Sequence, residues 1–161
     1  MWFKGATYAD VDTVCDNFSQ ISADEMAKAG VINRWQVKLR AKRCKDDGFL
    51  HVGIKNDVPI CIFGAVRFET NEMRTWFVGT DDYFVKDSTI IRDTIRHLAK
   101  MAKVFPHHTF ESFSHSTNQA SLKWFRTLGF RFVDNTPEGA KRFRFVGRNS
   151  TNSKECATYT D

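Results

Sequence analysis

At 161 residues the chain has the length of one domain, large enough to bury a core without disulfide or metal staples. Its 42% hydrophobic content includes fifteen Phe, and no apolar run approaches the ~20 residues that a membrane-spanning helix needs. The formal charge of +5 favours anionic partners in general. The opening Met1-Trp2-Phe3-Lys4-Gly5 lacks the apolar stretch of a secretory signal, so a cytoplasmic protein is expected.

Cys15, Cys44, Cys61 and Cys156 are widely spaced, with no CxxC pair and no His at ligand spacing. That pattern argues against a zinc site and a disulfide framework, and free, mostly buried thiols are expected.

In chain order, Val11, Val14, Cys15 and Phe18 form an i, i+3, i+4, i+7 stripe that predicts an amphipathic helix over Ala9 to Ser19. Ser22 and Glu25 have the spacing of a capping box, which would start a second helix at Ser22 and end it at Gly30. Asn33 caps a third, basic helix reaching Lys45, with Val37, Ala41 and Cys44 inward. Three strand-like segments follow, Phe49 to Lys55, Val58 to Phe68 and Met73 to Val78, separated by turn residues at Asn56-Asp57 and Thr70-Asn71. An antiparallel meander is therefore expected. Gly64 inside the middle segment points to a bulge or a close backbone approach.

Asp87 and Ser88 can cap a long helix with Ile91, Ile95, Leu98 and Ala102 along its apolar face, stopped by Pro106. A strand over Thr109 to Ser114, a helix over Asn118 to Leu128 closed by Gly129, and strands over Phe130 to Val133 and Arg142 to Val146 complete the pattern. The order is α-α-α-β-β-β-α-β-α-β-β in one domain over residues 1–148. Residues 149–161 are too poor in aliphatic side chains to repay ordering, and a disordered tail is expected there.

Asn118, Ser121, Phe125, Gly129 and Phe130 carry a more specific signal. Asn caps a helix after a strand, a small residue permits close approach, and Gly lets the chain reverse. With the element order, this segment resembles the second cofactor motif of the GNAT (Gcn5-related N-acetyltransferase) superfamily. The resemblance implies an α/β fold with a mixed, mostly antiparallel central sheet flanked by helices. Thr75 to Thr80 and Trp124 to Gly129 are also similar to GNAT-like internal virion proteins of short-tailed bacteriophages, over roughly residues 75 to 134.

The family resemblance implies acetyl-CoA as co-substrate and an amine acceptor. The pantetheine arm would lie along Phe77, Val78, Gly79 and Thr80, and the pyrophosphate at the helix start near Lys86, Ser88 and Thr89. Asn118, Ser121 and Phe125 would complete the cofactor side. Candidate general bases are Glu69, Glu72, Glu111 and His115. Two departures stand out. Residues 81–86 contain no glycine to form a nest of amides, and Asp81 and Asp82 repel phosphate. Phe125, which cannot donate a proton, occupies the position where the family often has Tyr; with Leu122 and Leu128 it reads equally as core.

Two functions follow as expectations: N-acetyl transfer from acetyl-CoA to a primary amine, or a catalytically degenerate virion or morphogenesis component that contacts other virion proteins. A nucleic-acid module using the basic faces Lys38 to Lys45 and Arg92 to Lys103 ranks last, because acidic residues are interspersed and no binding motif is present.

Overall fold

The computed structural model describes residues 1–31 and 33–147. The expected tail over 149–161 lies outside them. The elements are β1 (Trp2–Gly5), α1 (Tyr8–Asp16), α2 (Gln20–Lys28), α3 (Arg34–Asp46), β2 (Gly48–Lys55), β3 (Val58–Glu69), β4 (Glu72–Gly79), α4 (Asp81–Phe84), α5 (Ser88–Val104), β5 (Thr109–Ser114), α6 (Gln119–Thr127), β6 (Phe130–Asn135) and β7 (Lys141–Phe145). Seven strands form one sheet in the order β1-β2-β3-β4-β5-β7-β6. Every neighbouring pair is antiparallel except β4–β5. This is the mixed α/β architecture expected from the sequence.

Local chemistry sets the helix starts. Thr7 Oγ1 accepts from the Asp10 amide at 3.1 Å, and Asp10 accepts from the Thr7 amide at 2.8 Å. This closes a capping box that begins α1. Asn33 and Gln36 exchange the same two bonds at the start of α3. Between β2 and β3, Asn56 and Asp57 both take positive φ, 50° and 62°, the paired left-handed conformation that suits a two-residue hairpin turn.

Two elements were not foreseen. β1 pairs with β2 from Trp2↔Ile54 to Gly5↔His51; at four residues it is too short for an alternating pattern to register. α4 is a single turn, shorter than hydrophobic periodicity resolves.

The second helix starts earlier than expected. Ser19, not Ser22, is its cap, accepting from the Ser22 amide at 3.1 Å. Ser22 lies inside the helix, buried, with its hydroxyl turned to the sheet. In α5 the buried stripe is Ile90, Thr94, His97, Leu98 and Met101, rotated from the Ile91–Ile95–Ala102 face that hydropathy picks out. The rotation follows from two polar residues that the core accepts: Thr94, and His97, which stacks on Phe3 at 4.0 Å and faces His51 Nδ1 through its Nε2 at 3.1 Å.

The sheet separates two main cores. On one side Val11, Val14, Val37 and Ala41 of α1 and α3 meet Leu50, Val52, Ile62 and Val78. On the other, Leu98, Leu122 and Phe125 of α5 and α6 meet Phe49, Phe63, Met73 and Phe143. Fully burying each such side chain contributes about 1.5–3 kcal/mol.

Gly64 is a close approach and not a bulge. It pairs with Trp76 across β3–β4, and an added Cβ would lie 2.7 Å from the Trp76 ring and 3.0 Å from Cys44 Sγ. The Trp76 indole also donates to Cys44 Sγ at 3.1 Å, so the ring has little freedom to retreat. Gly64→Ala is expected to destabilise by about 1–3 kcal/mol, as overpacked cores do. Thermal melting should fall by roughly 2–4 °C per kcal/mol; an unchanged midpoint would contradict this packing.

Burial, then the neighbouring His51 and Lys100, push the His97 imidazole down to about 3. His51 is lowered as well, by burial and Lys100. An unfolded His titrates near ~6.5, so below that value the unfolded chain binds more protons than the folded one. The stability contributed by neutral His97 is therefore complete above about pH 6.5 and lost as pH falls toward about 3. Urea denaturation at neutral and mildly acidic pH should show a smaller acid loss for His97→Phe than for the parent; equal losses would refute it.

Candidate functional site

The parallel ladder between β4 and β5 runs from Glu72↔Thr109 to Thr75↔Ser112 and then stops. β5 continues to Ser114 against β7, while β4 continues to Gly79 against β3, so the two strands part. Two hydroxyls hold the fork: Thr75 Oγ1 donates to the Glu111 carbonyl at 2.9 Å, and Ser112 Oγ donates to the Thr75 carbonyl at 3.3 Å. Beyond it lies a cleft of about 580 Å³, open solvent at its mouth included, with Trp76 and Phe77 of β4, Phe113 of β5, Ser121 and Phe125 of α6, and Glu25 of α2 among its walls. Opened strands with unpaired backbone can take a ligand as an added strand.

α2 closes part of that backbone. The buried Ser22 hydroxyl accepts from the Gly79 amide at 2.9 Å and donates to the Gly79 carbonyl at 2.9 Å. The Ser19 amide also donates to that carbonyl, at 3.0 Å. Tyr83 lies against Gly79, where an added Cβ would come within 2.6 Å of its ring. Burial raises the Tyr83 phenol far above its ordinary range, so it is a packing residue and a poor acid. Its ring meets Trp124 at 5.4 Å, and Phe84 meets Trp124 at 5.6 Å, filling this end with aromatic side chains.

The start of α5 carries its own anion. Asp87 Oδ1 accepts from the Thr89 amide at 2.8 Å and from the Thr89 hydroxyl at 2.6 Å, and its other oxygen takes Lys55 Nζ at 2.7 Å. The Lys55 bond, then those from Thr89, hold its carboxyl well below the usual carboxylate range. A carboxylate thus occupies the helix-dipole position where an incoming phosphate would compete for the same amide. Asp81 and Asp82 are exposed on α4.

Of the cofactor-side candidates, Phe77, Ser121 and Phe125 gather in the cleft. Phe125 also belongs to the core, stacked on Phe143 at 4.7 Å and edge-on to Phe130 at 5.8 Å. Val78 is buried and paired with Ile62, and the Thr80 amide and hydroxyl both donate to the Ile60 carbonyl. Lys86, Ser88 and Thr89 are exposed around the start of α5. Asn118 caps α6, accepting from the Ala120 amide at 2.9 Å.

The candidate bases do not assemble. Glu69 sits at the exposed β3–β4 turn, with Glu72 opposite it. Glu111 is buried and clamped by Arg144 at 2.7 Å and Arg142 at 3.4 Å, which commits its lone pairs to two guanidiniums. His115 lines a second trough next to the cleft. The carboxylate that does reach the cleft is Glu25, which accepts from the Ser114 hydroxyl at 2.8 Å. Sequence reading assigned Glu25 to a helix cap; only the packing of α2 over the fork turns it inward. Arg40 and Trp76 were likewise missed, because their neighbours across the fork are remote in sequence.

Among the described residues there is no group of His, Cys, Asp and Glu side chains that could hold a metal, and no helix is long and apolar enough to cross a membrane. Cys15, Cys44 and Cys61 are free thiols; burial pushes Cys15 and Cys44 up to about 11 and Cys61 up to about 12.

In fold, the forked sheet matches those of solved acetyltransferases. Ribosomal-protein-alanine N-acetyltransferase from Brucella melitensis superposes with a TM-score of 0.67 at 11% identity, covering 91% of this chain and 99% of that one. The aminoglycoside acetyltransferase AAC(6')-Ib, solved with ribostamycin and coenzyme A, gives 0.67 at 11% identity over 96% and 98%. The GNAT domain of S. lividans PAT gives 0.64 at 14% identity over 89% and 88%. No protein-family model matches the sequence, and no curated protein sequence matches it. At these identities the likeness is one of fold.

Proposed function

We propose that this chain is a GNAT-fold protein whose cleft serves binding and not acetyl transfer, of the kind found in a phage internal virion or morphogenesis component. The observation that carries the reading is Asp87 on the Thr89 amide, a built-in anion where a coenzyme's diphosphate would need an open helix start. Three further features point the same way. Residues 81–86 have no glycine, Gly79 is capped by Ser22, and the Phe125 and Tyr83 rings offer no usable acid. These residues do not fit the diphosphate of acetyl-CoA. The assignment to particle assembly is an expectation from the sequence resemblance of residues 75 to 134 alone.

A second reading is N-acetyl transfer to an amine, and one observation favours it. Glu25 enters the cleft beside Ser114, where a carboxylate could take a proton from an incoming amine. Cofactor binding separates the two. Calorimetric titration with acetyl-CoA should give no heat, and a saturating millimolar addition should leave the melting temperature unchanged. Ligand linkage would shift it by an amount equivalent to about 2.7 kcal/mol at a hundredfold excess over Kd. A saturable heat with a thermal shift would restore the transferase reading, and Glu25→Gln would then be the variant expected to lose turnover.

A further inference from the structure

Next to the cleft, on the α3 side of the sheet, lies a wider trough of about 1060 Å³ that includes open solvent at its mouth. Arg40 and Arg43 of α3 form one wall, and Arg74 with the aromatic rings of Phe68 and Phe113 forms another; His115 stands at its end. The two cavities share Ala29, Arg40, Trp76 and Phe113, so the trough runs directly into the fork.

The charges in it are unequally matched. Arg74 is already satisfied: Nε donates to Glu72 at 2.8 Å, and its guanidinium lies 3.0 Å from the Phe68 ring centre and 5.0 Å from that of Phe113. Glu138 is within electrostatic reach of Arg74 and His115. Arg40 and Arg43 differ. Among the described residues neither has a carboxylate within ion-pair distance, and Arg40 makes one hydrogen bond, to the Ala29 carbonyl at 3.3 Å. Arg40 is half-buried, and burial first, with Arg43 adding to it, lowers its pKa. Two like charges one helical turn apart repel, and one of them is partly desolvated at further cost. An anion from outside would relieve both.

We infer that this trough is a docking site for an acidic peptide segment of a partner protein, with carboxylates on the Arg40–Arg43 pair and apolar side chains against Phe68 and Phe113. Charge complementarity selects the sign of the occupant. The half-exposed Phe68, at 51%, and the aromatic wall select a peptide with apolar side chains over a bare phosphate chain. Planar guanidiniums are suited to bidentate carboxylate contacts. The inference rests on the binding reading above, but the two fail separately, since coenzyme A binding would overturn that reading and leave a peptide titration unaffected.

The test is fluorescence anisotropy with a short labelled peptide of Glu and Phe, set against one of Lys and Phe of equal length. The acidic peptide should bind saturably, more weakly as salt rises, and the basic one should not. Arg43 is exposed, so Arg43→Glu can be made without disturbing the core and should weaken binding at least about tenfold, or about 1.4 kcal/mol. Arg92→Gln with Arg96→Gln, on α5 across the sheet where both pair with Asp93, should leave it unchanged. Absence of saturable binding, indifference to Arg43→Glu, or tighter Arg43-dependent binding of a single-stranded oligonucleotide of equal charge would each overturn the proposal.

Discussion

The structure turns on the point after Thr75 and Ser112 where β4 and β5 cease to pair. A parallel pair inside an otherwise antiparallel sheet requires a crossover, and α5 supplies it. The same helix, packed on the face carrying Phe49, Phe63 and Met73, holds β5 at its base while β4 stays with β3. Two strands with different partners beyond a shared base diverge, and the opening between them must be lined by something. Here α2 does much of that work: Ser22 satisfies both backbone groups of Gly79, and Glu25 comes to rest on Ser114. Unpaired backbone in a buried setting is costly, so a protein that does not rely on a ligand to satisfy Gly79 gains by providing a hydroxyl of its own.

The two ends of the opening then differ in character. Toward α5 the chain presents Asp81, Asp82 and a bound Asp87 carboxylate, with Tyr83, Phe84 and Trp124 packed together. Toward α3 it presents Arg40 and Arg43, which among the described residues have no carboxylate within ion-pair distance, beside the rings of Phe68 and Phe113. The fold is shared with enzymes such as AAC(6')-Ib, but function lives in the site and not in the scaffold.

Much of the fold was legible because long periodic segments leave little choice. The meander expected over residues 49–78 and the helix expected over Asn118 to Leu128 followed from alternation, turn residues and caps. β1 was not legible, being four residues long, and Ser22 was misread because Ser19 offers the same capping chemistry three positions earlier. In the site, the missing glycines and the acidic pair at 81–82 were plain in the sequence, while Phe125 read equally as a cofactor-side residue and as core. Glu111 looked like a candidate base because a carboxylate on a strand gives no sign that two arginines on β7, more than thirty residues away, will enclose it. Glu25 was invisible for the converse reason: its role depends on how α2 packs over the fork, which no local pattern encodes.

The seal on Gly79 is the feature that most directly separates a closed fork from a cofactor berth, and amide hydrogen exchange reads it residue by residue. The Gly79 amide should be protected in the free protein, acetyl-CoA should not alter its exchange, and Ser22→Ala should expose it. A Gly79 amide that exchanges like an open one until acetyl-CoA is added would contradict the seal.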